Sequence, residues 1–165
     1  MPVHLQREVE RLKQQVLSLS AVVENSVRLA VKSVAERNSA VASQVIENDV
    51  KIDQAEIDVE EECLKILALH QPVAIDLRYI VAVLKMNNDL ERIGDLAVNI
   101  AERAIFLNAR MKIDIPFDFT GIAQKTQAMF RSSLDALVNM DAGLARQVCS
   151  LDDEVDEINR QMYDQ

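Results

Sequence analysis

Glu91 and Asp95 stand four residues apart in the run Leu90-Glu91-Arg92-Ile93-Gly94-Asp95, and Asp49 and Asp53 form a second pair of the same spacing. Residues four apart on a helix share a face, so each pair projects two carboxylates in one direction. Glu56 and Glu60 continue the Asp49–Asp53 ladder, and Asn88, Asn99 and Glu102 continue the Glu91–Asp95 ladder. Like charges at this spacing cost an isolated helix roughly 0.2–0.5 kcal/mol per pair. Two ladders on neighbouring antiparallel helices would repel each other as well. A bound divalent or trivalent cation reverses the sign of that repulsion. Oxygen donors without His or Cys suit magnesium, calcium, manganese or iron rather than structural zinc. The competing reading is a solvated acidic face, screened by salt and by Arg78, Arg92 and Arg103. Gly94 lies between Glu91 and Asp95, where a mid-helix glycine costs about 0.8–1 kcal/mol against alanine. It permits close approach either of a second helix or of a metal cluster.

Other chemistries lack their residues. A di-iron bundle needs Glu-x-x-His on facing helices, but Leu67 stands three residues before His70, and His4 lies at the start of the chain. No phosphate-cradling glycine loop, GxSxG elbow or Cys–His arrangement occurs. His70, just before Pro72, reads as a helix cap, and Cys63 and Cys149 read as small core residues. Two distant cysteines without CxxC fit a reduced, cytoplasmic protein. The 18 basic and 27 acidic residues leave a net charge of −9, which disfavours nucleic acid and anionic membranes. The charged, periodic start is no signal peptide, and no apolar run approaches the ~20 residues of a membrane span.

Long helices must carry these ladders. Three Gly and three Pro in 165 residues are too few for the turns of an all-β fold, while hydrophobic content is 49% and aromatic content only 4%. Apolar residues recur at steps of three and four over residues 5–36 (Leu5, Val9, Leu12, Val16, Leu19, Val23, Val27, Ala30, Val31, Val34). A second helix is expected over 40–69, entered through a cap at Asn38-Ser39, and a third over 72–108, opened by Pro72 with Asp76 in its first turn. On the third, Val73, Leu77, Ile80, Leu84, Leu90, Ile93, Ala97, Ile100, Ala104 and Leu107 mark the apolar side. Short joints between long helices predict an up-down-up bundle. The stretch 111–121 loses the helical period and carries Pro116, Phe117 and Phe119, read as a linker whose aromatics dock on a bundle. Helix resumes over 122–140. Asp141-Ala142-Gly143 marks a turn or cap before a fifth helix from Leu144. The division is 1–109, 110–121 and 122–165.

The last two helices echo the first two at a shift of 103 residues. Val41-Ala42-Ser43-Gln44-Val45 aligns with Leu144-Ala145-Arg146-Gln147-Val148, and Asp49 and Asp53 align with Asp152 and Asp156. The counterpart of Glu91 would fall beyond Gln165. The polypeptide is therefore expected to hold one complete three-helix unit and two helices of a second.

Asp49-x-x-x-Asp53, Gln71-Pro72-Val73-Ala74-Ile75-Asp76-Leu77-Arg78 and Leu90-Glu91-Arg92-Ile93-Gly94-Asp95-Leu96-Ala97-x-Asn99-Ile100 resemble the PhoU family. The resemblance extends along the whole chain. It implies an all-α fold of tandem three-helix bundles, the second lacking its third helix. It further implies a regulator that damps phosphate uptake and the phosphate-starvation response, linking the phosphate ABC transporter to a sensor histidine kinase. Metal clusters held by Glu/Asp-x-x-x-Asp motifs carry over to Asp49 with Asp53, to Glu91 with Asp95, and to Asp152 with Asp156. The family's second Glu-Arg-Ile-x-Asp helix has no counterpart, so the second site is expected to be incomplete. The expectation is a cytoplasmic, non-enzymatic, negatively acting adaptor that binds divalent or trivalent metal, forms a homodimer, and joins membrane complexes only peripherally. Its rivals are a metal-free helical scaffold or dimerisation module, and a metal-dependent phosphohydrolase, which would lack an evident nucleophile and a His-type base.

Overall fold

Leu5, Val9, Leu12, Val16, Leu19, Val23, Ser26, Ala30 and Ser33 form a line of buried residues whose steps alternate between four and three. That is a heptad period, which supercoils helices around a shared core. It differs from the apolar list expected for this segment. Ser26 and Ser33 hold inner positions while Val27, Val31 and Val34 are only partly buried. Ser33 resolves its hydroxyl locally, donating to the Ala30 carbonyl at 2.7 Å, and Ser20 does the same to Val16 at 2.7 Å.

The computed structural model describes residues 3–111 and 118–163. Five helices follow in order: α1 Val3–Ala35, α2 Ser39–His70, α3 Ala74–Asn108, α4 Phe119–Val138 and α5 Ala142–Tyr163. No strand occurs among the described residues. None of the described helices is long and apolar enough to cross a membrane. The chain divides into two compact units, Met1–Phe106 and Leu107–Gln165.

In the first unit α1, α2 and α3 form a bundle. On α2 the heptad line runs through Ala42, Val45, Asp49, Ile52, Glu56, Val59, Cys63 and Ile66; on α3 it runs through Ile80, Val83, Asn87, Leu90, Gly94, Ala97, Ala101 and Ala104. All but Asp49 and Glu56 on these lines are buried. Val73, Leu77, Ile100 and Leu107, expected on the inner side of α3, are exposed, because that list followed apolar residue types rather than a strict period. One end of the core is made of Ala30, Ala42, Val45, Ala97, Ala101 and Ala104, whose small side chains let the helices approach. At the other end the Lys13 ammonium of α1 lies 5.8 Å from the Tyr79 ring of α3.

The α1–α2 and α4–α5 turns repeat one another. Arg37 and Met140 are both left-handed, at φ 51° and 54°. Asn38 N–H donates to the Ser33 carbonyl at 3.0 Å, and Asp141 N–H to the Ala136 carbonyl at 2.8 Å; Arg37 and Met140 donate to Val34 and Leu137. These bonds close helix ends in the Schellman manner, at the 103-residue shift expected from the sequence. The next residue caps the following helix in both places. Asn38 Oδ1 accepts from Ala40 and Val41 at 3.1 and 3.2 Å, and Asp141 Oδ1 from Gly143 and Leu144 at 2.8 and 3.0 Å.

Other boundaries moved for local reasons. The C-cap of α2 is Gln71 rather than His70; Gln71 is left-handed and donates to Leu67 at 3.2 Å. Helix α3 starts at Ala74, itself left-handed at φ 49°, so Pro72 belongs to the connection. Helix α4 starts at Phe119 because Asp118 caps it, accepting from Gly121 N at 2.8 Å. Of the aromatics expected to dock on a bundle, Phe117 lies outside the described residues, as does Pro116, and Phe119 opens α4 with its side chain 43% exposed. In the second unit Leu134 and Ala136 are buried, and Lys125 pairs with Glu154 at 3.0 Å across α4 and α5. Cys63 is buried as expected, but Cys149 is exposed. The inner line of α5 runs Leu144, Val148, Val155, Ile158 and Met162, and Cys149 falls one residue off it.

Candidate functional site

The close approach of α2 and α3 sets the site. Gly94 is buried, and a Cβ there would sit 3.0 and 3.2 Å from the Ile52 methyl groups and 3.5 Å from Asp49 Oδ1. Of the two roles open to this glycine, tight helix packing is the one its surroundings display. Packing at this point also brings Asp49 beside the Glu91–Asp95 ladder.

The electrostatics record that juxtaposition. Partial burial pushes the Asp49 carboxyl above its ordinary range, reinforced by Asp53 and by Asp95 from α3. Glu56 is raised by burial, then by Glu60 and Asp53. Glu91 is raised by burial, then by the charge of Asp95 and a hydrogen bond with it, then by Asp53 and Glu56 of α2. Every influence on these three groups acts upward, and every charged neighbour among them is another carboxylate. Arg92, expected to screen the ladder, pairs with Asp89 at 3.7 Å; Arg78 and Arg103 are exposed.

A shallow groove of about 360 Å³ follows the α2–α3 edge, lined by Asp53, Glu56, Ile57, Asn88, Glu91 and Arg92. Beneath it Asn87 donates from Nδ2 to the Glu56 carbonyl and to Glu56 Oε1, both at 2.9 Å. Asn87 is 1% exposed, and its Oδ1 meets no hydrogen-bond donor among the described residues. Neither Asn87 nor the inner placement of Glu56 was anticipated. Extending the heptad of α2 and α3 without regard to residue type would have found both.

Asp49, Asp53, Glu91 and Asp95 thus share one face of the first unit. Asn88 joins them at the groove, while Asn99 and Glu102 lie exposed farther along α3. Asp152 and Asp156 are exposed on α5, where no third helix of their unit stands opposite them among the described residues. The donor chemistry fits a hard cation. Among the described residues, however, no three His, Cys, Asp or Glu side chains converge as a set that would hold an ion.

The PhoU domain family model matches residues 16–104 and 119–165. The chain belongs to the PhoU family. It is 35% identical over 156 residues to an Aquifex aeolicus protein named phosphate-specific transport system accessory protein PhoU homolog, covering 94% of this chain and 71% of that one. A Pseudomonas putida protein of the same name is 39% identical over 150 residues, covering 90% of this chain and 59% of that one. The crystal structure of PhoU from Pseudomonas aeruginosa superposes with a TM-score of 0.87 at 37% identity, over 96% of this chain and 76% of the other. The helical-bundle fold of the PhoU family is therefore the fold of this chain.

Proposed function

We propose that this protein is an accessory regulator of phosphate uptake. The observation that carries the reading is similarity, over nearly the whole chain, to PhoU proteins named for the phosphate-specific transport system. The regulator acts by stoichiometric binding in the cytoplasm. It joins the phosphate ABC transporter to a sensor histidine kinase and biases the kinase toward its signalling-off state. Such a bias requires different affinities for the two kinase states. No catalytic residue is assigned.

The metal reading belongs to the same proposal. Asp49, Asp53, Glu91 and Asp95 would hold a hard divalent or trivalent cation, such as iron, manganese or magnesium. Burial and then the neighbouring carboxylates hold Asp49 and Glu91 above their ordinary values, which supports it, since an ion would offset that charge. Asp53 and Asp95 are exposed while Asp49 and Glu91 are half-buried, and ligation would require their side chains to turn toward a common ion. Asp152 and Asp156 would supply at most half of a second site. Homodimerisation is part of the proposal, and sedimentation reads it.

Deleting the gene tests the regulatory reading. Alkaline phosphatase expression should rise in phosphate-rich medium and return to its basal level on complementation; unchanged expression in a host without a second PhoU protein would sink it. Elemental analysis of purified protein tests the metal reading separately, with Asp95→Asn expected to lower occupancy.

A further inference from the structure

Val50, Ile57 and Leu64 stand seven residues apart along α2 and are 64%, 45% and 53% exposed. A seven-residue step is two helical turns, so the three make one apolar line of ~21 Å. Ile57 lines the α2–α3 groove, which puts Val50 and Leu64 on the same edge. On the facing edge Val81, seven residues before the groove residue Asn88, is 39% exposed. The chain thus presents a valley between two helix edges that both carry exposed apolar side chains, three on α2 and Val81 on α3.

The rim of that valley is acidic. Asp53 and Glu91 line it; Glu60 and Asp95 follow on the same helical edges and are exposed. The one cation in the lining, Arg92, is paired with Asp89.

We infer that the α2–α3 groove docks a basic amphipathic helix of a partner protein, its apolar stripe on Val50, Ile57, Leu64 and Val81 and its Lys or Arg side chains against Asp53, Glu60, Glu91 and Asp95. The seven-residue period selects a helix over an extended strand, whose side chains repeat every two residues. Charge selects a basic occupant. A second copy would bring an identical acidic rim against this one, since a two-fold contact pairs a patch with itself. An anionic lipid surface is repelled by the same rim. The inference deepens the adaptor reading by naming the chemistry of the surface it contacts, and it rests on that reading for its biological role.

The test uses a fluorescent Leu/Lys peptide of about 21 residues with leucines at i, i+3, i+4 and i+7, titrated with the intact chain in 150 mM salt. Ile57→Asn and Glu60→Lys, both exposed and neither among the proposed metal ligands, should each weaken binding by about tenfold or more, as central interface positions do. Asp58→Lys and Leu96→Asn, away from the groove, should change it less than twofold. Equal weakening by Asp58→Lys and Glu60→Lys would reduce the effect to net charge and overturn the inference. So would equal binding of a scrambled Leu/Lys peptide, binding to anionic vesicles through Ile57, or loss of self-association in Ile57→Asn with peptide binding intact. Circular dichroism confirms that each variant folds. Because Asp53, Glu91 and Asp95 are also the proposed metal ligands, the titrations use chelator-treated protein; metal occupancy is then read on Asp95→Asn and peptide docking on Ile57→Asn.

Discussion

Asn87 of α3 reaches across the bundle to Glu56 of α2, donating from one amide nitrogen to both the backbone carbonyl and the side-chain Oε1 at 2.9 Å. Both residues occupy heptad positions that an apolar side chain would ordinarily fill. The pair ties the two helices in register directly under the carboxylate groove, so polar chemistry at the surface is anchored by polar chemistry within.

Asn87→Ala should therefore cost about 1–3 kcal/mol, the usual cost of stranding a buried polar partner, read as a lowered urea midpoint with an unchanged slope. Glu56→Gln keeps an acceptor for Asn87 and removes a charge raised by its neighbours. It should be neutral or mildly stabilising at pH 7. Comparable losses for the two variants would show that the charge of Glu56, not its acceptor, matters.

Asp49, Glu56 and Glu91 all have carboxyls held above their ordinary values. In the pH window between the ordinary and the raised value, the folded state then binds more protons than the unfolded state. Stability falls as pH rises through that window and recovers as pH is lowered into it. Chelator-treated protein should show this rise in Tm on mild acidification. Glu91→Gln should flatten it and add a few tenths of a kcal/mol at pH 7, discounted because the site faces solvent. A Tm that drops monotonically from pH 7 downward would contradict the prediction.

A saturating hard cation should stabilise the same site at neutral pH. At a free concentration one hundred times the Kd it would add about 2.7 kcal/mol, seen as a rise in Tm that Asp95→Asn reduces. Absence of any shift with magnesium, manganese or iron would count against the metal reading.

Gly94 lies against Ile52 with no room for a branched side chain. Gly94→Val should push α2 and α3 apart, with an overpacking cost of roughly 1–3 kcal/mol. Calorimetry measures it, and a Tm equal to that of the unaltered protein would show that the helices can part freely.

The repeated turns make a paired prediction. Met140 is exposed and left-handed, so Met140→Gly should stabilise the α4–α5 hairpin by roughly 0.5–1 kcal/mol. Asp141→Ala removes the cap seen at Gly143 and Leu144 and should cost about 0.5–2 kcal/mol. Hydrogen exchange of the first-turn amides of α5 separates the two, and opposite signs are expected.

Local chemistry was legible in the residues themselves. Helix content, the 103-residue repeat and the caps at Asn38 and Asp141 follow from period and side-chain type, which act over a few residues and need no partner. The carboxylate pairs were legible for the same reason, since a four-residue step places two groups on one face of any helix. Only the tertiary structure decided which faces meet. The apolar residues of α3 could point inward at Leu77 and Ile100 or along a strict heptad, and three-helix packing chose the heptad. That choice buries Asn87 and Gly94, sets Asp49 beside Asp95, and leaves Ile57 exposed at a groove. Those relationships join residues tens of positions apart, and their energies come from burial and mutual charge across two helices, which no single helix contains.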